Sequence, residues 1–247
     1  MPDMPRRPRS ELPLVQLIPN FITVAALCAG LSAIRFSIYG EFALAAGLIL
    51  LAAVLDGLDG RLARLLKSES EVGAELDSFG DFVNFGVAPG FTLYLWALQD
   101  MNRFGWIATL MYIVCCLMRL VRFNMGNRAT DATAAGHFTG VPSPAGAMLA
   151  LLPLFVALMS PDLARLPSVL VACWMVGVGT LMIARFPTPS FKTATIYTEY
   201  LSFWVVGFVV LVAALTTFPW MALVGLDLAY IGLLLFGWFR RRNKPAA

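Results

Sequence analysis

The sequence predicts an all-α polytopic membrane protein with about eight transmembrane helices. Hydrophobic residues make up 59% of the 247 positions and charged residues only 13%, whereas about a quarter of a soluble domain is charged. Uncharged runs at 12–34, 166–184 and 200–226 have about the length of ~20 apolar residues that crosses a bilayer. A net charge of +3 is too small to indicate a nucleic-acid-binding protein.

Hydropathy and the positions of Pro and Gly define the elements and their flanks. The predicted helices span roughly 15–37, 41–63, 76–99, 104–123, 142–160, 167–185, 200–217 and 220–239. They form one membrane domain, residues 15–239, between a basic N-terminal segment, 1–14, and a basic tail, 240–247.

The distribution of basic residues predicts the orientation of these helices. With both termini in the cytoplasm, only Arg35, Arg103 and Arg165 lie outside, and the other 15 of the 18 Lys and Arg residues lie inside. Cytoplasmic loops of membrane proteins carry such an excess of positive charge. We therefore expect a multi-pass protein of the cell (cytoplasmic or inner) membrane.

Four aspartates flank the predicted cytoplasmic loop between the second and third helices. Asp56 and Asp59 end the second helix, and Asp77 and Asp81 begin the third. Spacings of three and four residues place each pair on one helix face. Because the two helices are antiparallel neighbours, the two pairs can face each other.

Four converging carboxylates cannot all remain ionised near a membrane without a neutralising partner. Their oxygens suit two hard divalent cations, Mg²⁺ or Mn²⁺, and paired cations are a standard device of phosphoryl chemistry. Gly57 and Gly60 are poor helix formers, which indicates close approach of a ligand such as a nucleotide. Arg61 and Arg64 add phosphate-binding cations, and Ser70 adds a hydroxyl.

The stretch Asp-x-x-Asp-Gly-x-x-Ala-Arg-x8-Gly-x3-Asp-x3-Asp, which runs from Asp56 to Asp81, resembles the signature of the CDP-alcohol phosphotransferase family. The resemblance implies that the first six helices form the catalytic core. It also implies that Asp56 and Asp77 bridge two metal ions and that Asp59 binds one of them. Asp81 then binds the other ion and acts as the general base.

The same resemblance implies a set of contacts to the CDP-lipid. Gly60, Arg64 and Ser70 match positions that hold the CDP moiety. The first helix of the family also contributes groups that bind the CDP-lipid, and Asn20 and Thr23 lie on that helix here.

Four further segments resemble the branch of the family whose acceptor is serine. They are 85–89, 119–124, 139–144 and 185–192. The resemblance implies CDP-diacylglycerol as donor, L-serine as acceptor and a homodimer. An Arg–carboxylate pair can be bidentate, which makes the cationic side chains candidates for binding the serine carboxylate. The candidate acceptor residues are Arg119, Arg122, Asn124, Ser143 and Lys192.

Several alternatives remain open at this level. The acceptor could be glycerol 3-phosphate, inositol phosphate or choline, and the basic residues could contact lipid headgroups. A divalent-cation transporter with the aspartates as its transport site is a more distant possibility. The four cysteines are interpreted as packing residues, His137 as a solvated loop residue, and Asp227 as an intramembrane acid with no predicted partner.

Overall fold

The computed structural model describes residues 17–66, 68, 70–128, 140–160, 166–184 and 201–242. Every regular element among these residues is helical, which confirms the predicted all-α class. The helices are α1 (Ile18–Ile38), α2 (Phe42–Leu65), α3 (Glu71–Phe82), α4 (Ala88–Leu93), α5 (Arg103–Arg128), α6 (Ser143–Met159), α7 (Ser168–Ile183), α8 (Leu201–Thr217) and α9 (Pro219–Arg242).

The third predicted helix is a composite of several helical segments. A π-helical segment, Val83–Val87, joins α3 to α4, and a second one, Tyr94–Leu98, leads into a 3₁₀ turn at Gln99–Met101. In a π turn, each backbone hydrogen bond spans five residues instead of the four of an α-helix. Its Phe85 carbonyl accepts a 2.7 Å hydrogen bond from the Tyr112 hydroxyl of α5, which fixes the segment against that helix.

The composite helix begins at Glu71 rather than at residue 76. The Ser70 side chain caps it by accepting a 3.0 Å hydrogen bond from the backbone N–H of Gly73. Hydropathy marks where the apolar run begins, whereas a cap residue marks where the helix begins. Asp77 therefore lies within a formed helix rather than at its first turn.

Within the described parts of the chain, four helices are long and apolar enough to cross a membrane. They comprise Ile18–Ile38, Phe42–Leu65, Arg103–Met125 and Pro219–Gly237; Ser143–Met159, Ser168–Ile183 and Val205–Thr217 are apolar but shorter. Large apolar side chains such as Phe21, Val206 and Phe208 are exposed. Such an outer surface fits a polytopic protein surrounded by lipid.

Small residues let α1 and α2 pack closely, as is common between membrane helices. The buried alanines of these two helices are Ala26, Ala29, Ala33, Ala45, Ala46 and Ala52. The rest of the core gathers around the first π segment, α5, α6 and α7. Helix α9 joins it where Trp220 stacks on Phe155, with ring centroids 6.1 Å apart.

Candidate active site

Three of the four predicted aspartates converge where α2 ends and α3 begins. One carboxylate oxygen from each of Asp56, Asp59 and Asp77 lies within 4.8 Å of the others. The first two stand one turn apart on α2, and the third faces them from α3. Both α2 and α3 pack against α1, and this shared packing brings the three aspartates together, as the spacing predicted.

Asp81 lies one turn further along α3, at the edge of this group. Its side chain is close enough to that of Asp56 for a hydrogen bond between the two carboxyl groups when one of them is protonated. Its Oδ1 atom is buried and has no hydrogen-bond partner among the described residues, and the same is true of Oδ1 of Asp59. Burying a carboxylate oxygen without a hydrogen-bond partner or a counter-charge costs free energy.

This donor set fits divalent cations. Four carboxyl groups lie together, two of them have a buried unpartnered oxygen, and all the donor atoms are the hard oxygens that Mg²⁺ and Mn²⁺ prefer. Bound cations would satisfy those oxygens and offset the clustered negative charge. The residues that would hold them are Asp56, Asp59, Asp77 and Asp81.

Helix α1 contributes to the cluster through its predicted residues. The Thr23 hydroxyl donates a 2.6 Å hydrogen bond to Oδ2 of Asp59 and also lies 3.1 Å from the carbonyl of Pro19. A hydrogen bond of this kind orients a carboxylate for metal binding. Thr23 therefore touches a candidate metal ligand, whereas the sequence pattern indicated a phosphate donor.

Asn20 stands one turn before Thr23 and faces the start of α3. A Cβ atom at Gly73 would lie 3.0 Å from the side-chain oxygen of Asn20 and 3.0 Å from the Ser70 hydroxyl oxygen. Because both contacts are tight, glycine lets α1 and the cap of α3 approach each other. Asn20 and Ser70 therefore lie on either side of Gly73, and their role in binding the CDP-lipid stays a prediction.

The end of α2 has open space around its glycines. A Cβ at Gly57 or at Gly60 would meet nothing within 4 Å. Arg64 is exposed, and its Nε donates a 2.9 Å hydrogen bond to the carbonyl of Gly60. This surface can accept a ligand against the helix backbone, with cationic donors at its edge.

The candidate acceptor residues divide into two groups. Arg119 of α5 donates through Nε to the carbonyl of Val141, at 2.6 Å, and through a terminal nitrogen to the Ser143 hydroxyl. Its positive charge also acts on Asp81. Arg119 and Ser143 are therefore in direct contact, and Arg119 is within electrostatic range of Asp81.

Arg122 and Asn124 make their hydrogen bonds elsewhere. Arg122 donates a 2.7 Å bond to the carbonyl of Ile183, the last residue of α7, where a cation also stabilises the helix dipole. Asn124 donates a 2.9 Å bond to Ser78, which neighbours Asp77 on α3. Their serine-binding role stays a prediction, and Lys192 and His137 lie outside the described residues.

Two buried polar residues near the site carried no distinctive sequence signal. Cys116 is fully buried, and a Cβ atom at Gly86 of the first π segment would lie 3.2 Å from its sulfur; the sequence indicated a packing residue. Asn84, in the first π segment, is also buried, its Oδ1 has no hydrogen-bond partner among the described residues, and it lies against Gly30 of α1.

One known protein family matches the part of the sequence that forms this site. Residues 16–183 match the model of the CDP-alcohol phosphatidyltransferase family, and the chain belongs to that family of enzymes. The matched segment runs from α1 to the end of α7 and contains every described site residue. Helices α8 and α9 lie beyond it.

Curated relatives indicate which branch of the family this chain resembles. Those described here are named CDP-diacylglycerol–serine O-phosphatidyltransferase. The protein of Mycobacterium leprae is 36% identical over 231 residues, which cover 92% of this chain and 77% of the relative. The Helicobacter pylori protein is 32% identical over 176 residues, 71% of this chain and 73% of its own length. The Bacillus subtilis protein is 33% identical over 175 residues, 71% of this chain and 91% of its own length.

Proposed function

We propose that this chain transfers the phosphatidyl group of CDP-diacylglycerol to the hydroxyl of L-serine, giving phosphatidylserine and CMP. The observation that carries the proposal is the convergence of the four aspartates, together with Arg119, which is hydrogen-bonded to Ser143 and whose positive charge acts on Asp81. The aspartate cluster would hold the cations that stabilise the charge of the pyrophosphate, and the arginine offers a counter-charge to an amino-acid carboxylate. The names of the curated relatives support the same substrates.

The aspartates have separate roles in this proposal. Asp56, Asp59 and Asp77 hold divalent cations, Mg²⁺ or Mn²⁺, and these supply charge stabilisation to the pyrophosphate when bound. Asp81 stands at the edge of the group, and the positive charge of Arg119 acts on it. That position favours Asp81 as the base, with a further share in holding the second ion.

The reaction is a direct displacement. The serine hydroxyl oxygen forms a bond to the phosphorus next to diacylglycerol, the bond from that phosphorus to the CMP oxygen breaks, and Asp81 takes the hydroxyl proton. Arg119 pairs with the serine carboxylate. Its guanidinium has five N–H groups, and the bonds to Val141 and Ser143 use two of them.

The CDP moiety occupies the surface formed by the end of α2 and the start of α3. Gly57 and Gly60 leave the helix backbone accessible, and Arg64 offers a cation at its rim. Asn20 and Ser70 flank the other side, next to Gly73. We further propose that this end of the bundle faces the cytoplasm, on the basis of the distribution of Lys and Arg; the homodimer stays a prediction.

The test is a transfer assay with purified protein, CDP-diacylglycerol, Mg²⁺ or Mn²⁺ and labelled serine, followed by lipid extraction. We expect labelled phosphatidylserine and an equal amount of CMP. Parallel reactions contain glycerol 3-phosphate, inositol phosphate or choline, and the Asp56→Ala variant is the negative control. CMP release that responds to one of those acceptors and not to serine would overturn the assignment of the acceptor while leaving the family intact.

A further inference from the structure

The end of α7 is held by a side chain of α5. Arg122, which stands one turn after Arg119 on α5, donates a 2.7 Å hydrogen bond to the carbonyl of Ile183, the last residue of α7. The last carbonyls of a helix have no hydrogen-bond partner within the helix, and a cation at this end also offsets the negative pole of the helix dipole. Arg122 therefore ties α5 to the end of α7.

The residues that precede α6 contact the same end of α7. The N–H of Val141 donates a long hydrogen bond, 3.5 Å, to the carbonyl of Leu181. Gly140 has a φ of +92°, and a Cβ atom there would lie 2.6 Å from the carbonyl oxygen of Met182 and 2.9 Å from that of Ala184. Both oxygens belong to the backbone and cannot turn aside. Glycine, which has no Cβ, therefore lets this segment pass over the end of α7.

Val141 connects this contact to Arg119. Its N–H faces α7, and its carbonyl accepts a 2.6 Å hydrogen bond from Nε of Arg119. The same guanidinium donates to the hydroxyl of Ser143, the first residue of α6. Because a guanidinium is a rigid plane, two bonds to neighbouring residues fix the direction of its remaining N–H groups. The position of Val141 thus determines the orientation of Arg119.

We infer that Arg122 and Gly140 are positioning residues of the acceptor site. They hold Val141 against the end of α7 and thereby fix Arg119 in the orientation that binds the acceptor carboxylate. The inference rests on the proposed function, because it assigns Arg119 to the carboxylate of serine. The sequence pattern suggested that Arg122 binds the carboxylate itself, and the two roles predict different results.

The first experiment compares Arg122→Met with Arg122→Lys in the full-length protein, with separate KM values for serine and CDP-diacylglycerol. Both replacements are unbranched, but only Lys keeps a cationic donor for the Ile183 carbonyl. Loss of one net hydrogen bond corresponds to about a fivefold change in affinity. We expect Arg122→Met to raise the KM for serine by about that factor and to leave the KM for CDP-diacylglycerol unchanged. Arg122→Lys should restore most of the serine affinity.

A double substitution separates positioning from direct binding. If Arg122 acts only through Arg119, its loss has no further effect once Arg119 is gone. We therefore expect Arg119→Met to raise the KM for serine by more than Arg122→Met does, and the double variant to match Arg119→Met alone. A further rise in the double variant would show that Arg122 meets the acceptor on its own and would overturn the inference.

Gly140→Ala tests the same contact from the side of α6. Its Cβ would push the segment away from the α7 carbonyls, so the KM for serine should rise as in Arg122→Met, with the KM for CDP-diacylglycerol unchanged. Gly177→Ala is the matched control, since it makes the same change within α7 where a Cβ meets nothing within 4 Å. Both of its KM values should equal those of the wild-type protein. Thermal unfolding of each variant separates a loss of stability from a change in the site.

The outcomes are distinguishable. An unchanged KM for serine in Arg122→Met, or equal rises in both KM values that Arg122→Lys does not reverse, would overturn the positioning role while the proposed function stands. If Gly140→Ala does not fold, the Arg122 pair and the double variant decide the question. A wild-type protein that makes no phosphatidylserine would overturn the proposed function itself.

Discussion

The hydrogen bond between Thr23 and Asp59 offers a direct test of how α1 serves the cluster. Thr23→Val removes the hydroxyl, which lies 2.6 Å from Oδ2 of Asp59, and keeps the branched shape of a buried side chain. Because Oδ1 of Asp59 already has no partner among the described residues, the carboxylate would lose its one described side-chain partner. We expect weaker cation binding, since that bond holds Asp59 in place.

The magnitude follows from the type of bond. A hydrogen bond to an ionised group is worth about 1.5–3 kcal/mol, and loss of a residue that orients a metal ligand typically costs about 10- to 100-fold in metal affinity. We therefore expect the Mg²⁺ concentration for half-maximal CMP release to rise by about ten- to a hundredfold in Thr23→Val. Saturating Mg²⁺ should restore most of the turnover.

Two measurements make this result decisive. Thr23→Ser keeps the hydroxyl and loses the methyl that faces Gly80, 3.7 Å from a Cβ at that position, so its Mg²⁺ dependence should resemble that of the wild-type protein. The KM for CDP-diacylglycerol is measured at saturating Mg²⁺ in parallel. A raised lipid KM with an unchanged Mg²⁺ requirement would refute the orienting role and favour direct phosphate contact by Thr23.

Three further substitutions test other parts of the site. Asp81→Asn keeps the shape of the side chain and removes the base, so kcat should fall by about 10²- to 10⁴-fold while equilibrium binding of CDP-diacylglycerol persists; near-normal turnover would exclude Asp81 as the base. Asp56→Ala removes an oxygen ligand next to two other aspartates and should leave almost no activity at any Mg²⁺ concentration, which a metal titration of CMP release checks. Gly30→Ala places a Cβ 2.1 Å from the side-chain oxygen of Asn84 and should lower the midpoint of thermal unfolding by several degrees, whereas an unchanged midpoint would show that Asn84 can move aside.

The sequence was sufficient to predict the central arrangement. Helical spacing placed Asp56 and Asp59 on one face, and the short connection to α3 placed Asp77 within reach of them. Arg119 and Ser143 were predicted as one pocket and do meet. The convergence of the aspartates was predictable because it depends on helix periodicity and on chain direction, both of which are encoded locally. Arg119 and Ser143 were singled out through the family resemblance, and the binding roles of all these residues stay predictions.

Other features depend on contacts between helices and were not predictable from spacing. The π segment at Val83–Val87 changes the hydrogen-bond register without changing hydropathy, and the Tyr112 hydroxyl that supports it comes from another helix. Arg122 donates to the end of α7, a partner determined by where that helix stops. Cys116 looked like any small apolar residue, since its close approach to Gly86 depends on how α5 meets the π segment.

The number of cations bound by the purified protein tests the central claim most directly. Equilibrium dialysis with Mn²⁺, in detergent and without substrate, should give two ions per chain for the wild-type protein, because a paired-cation site needs both positions filled. In Asp56→Ala the bound ions should be lost, with the fold retained by circular dichroism. Wild-type protein that binds no Mn²⁺, or Asp56→Ala protein that binds as much as the wild type, would contradict a cation pair held by these aspartates.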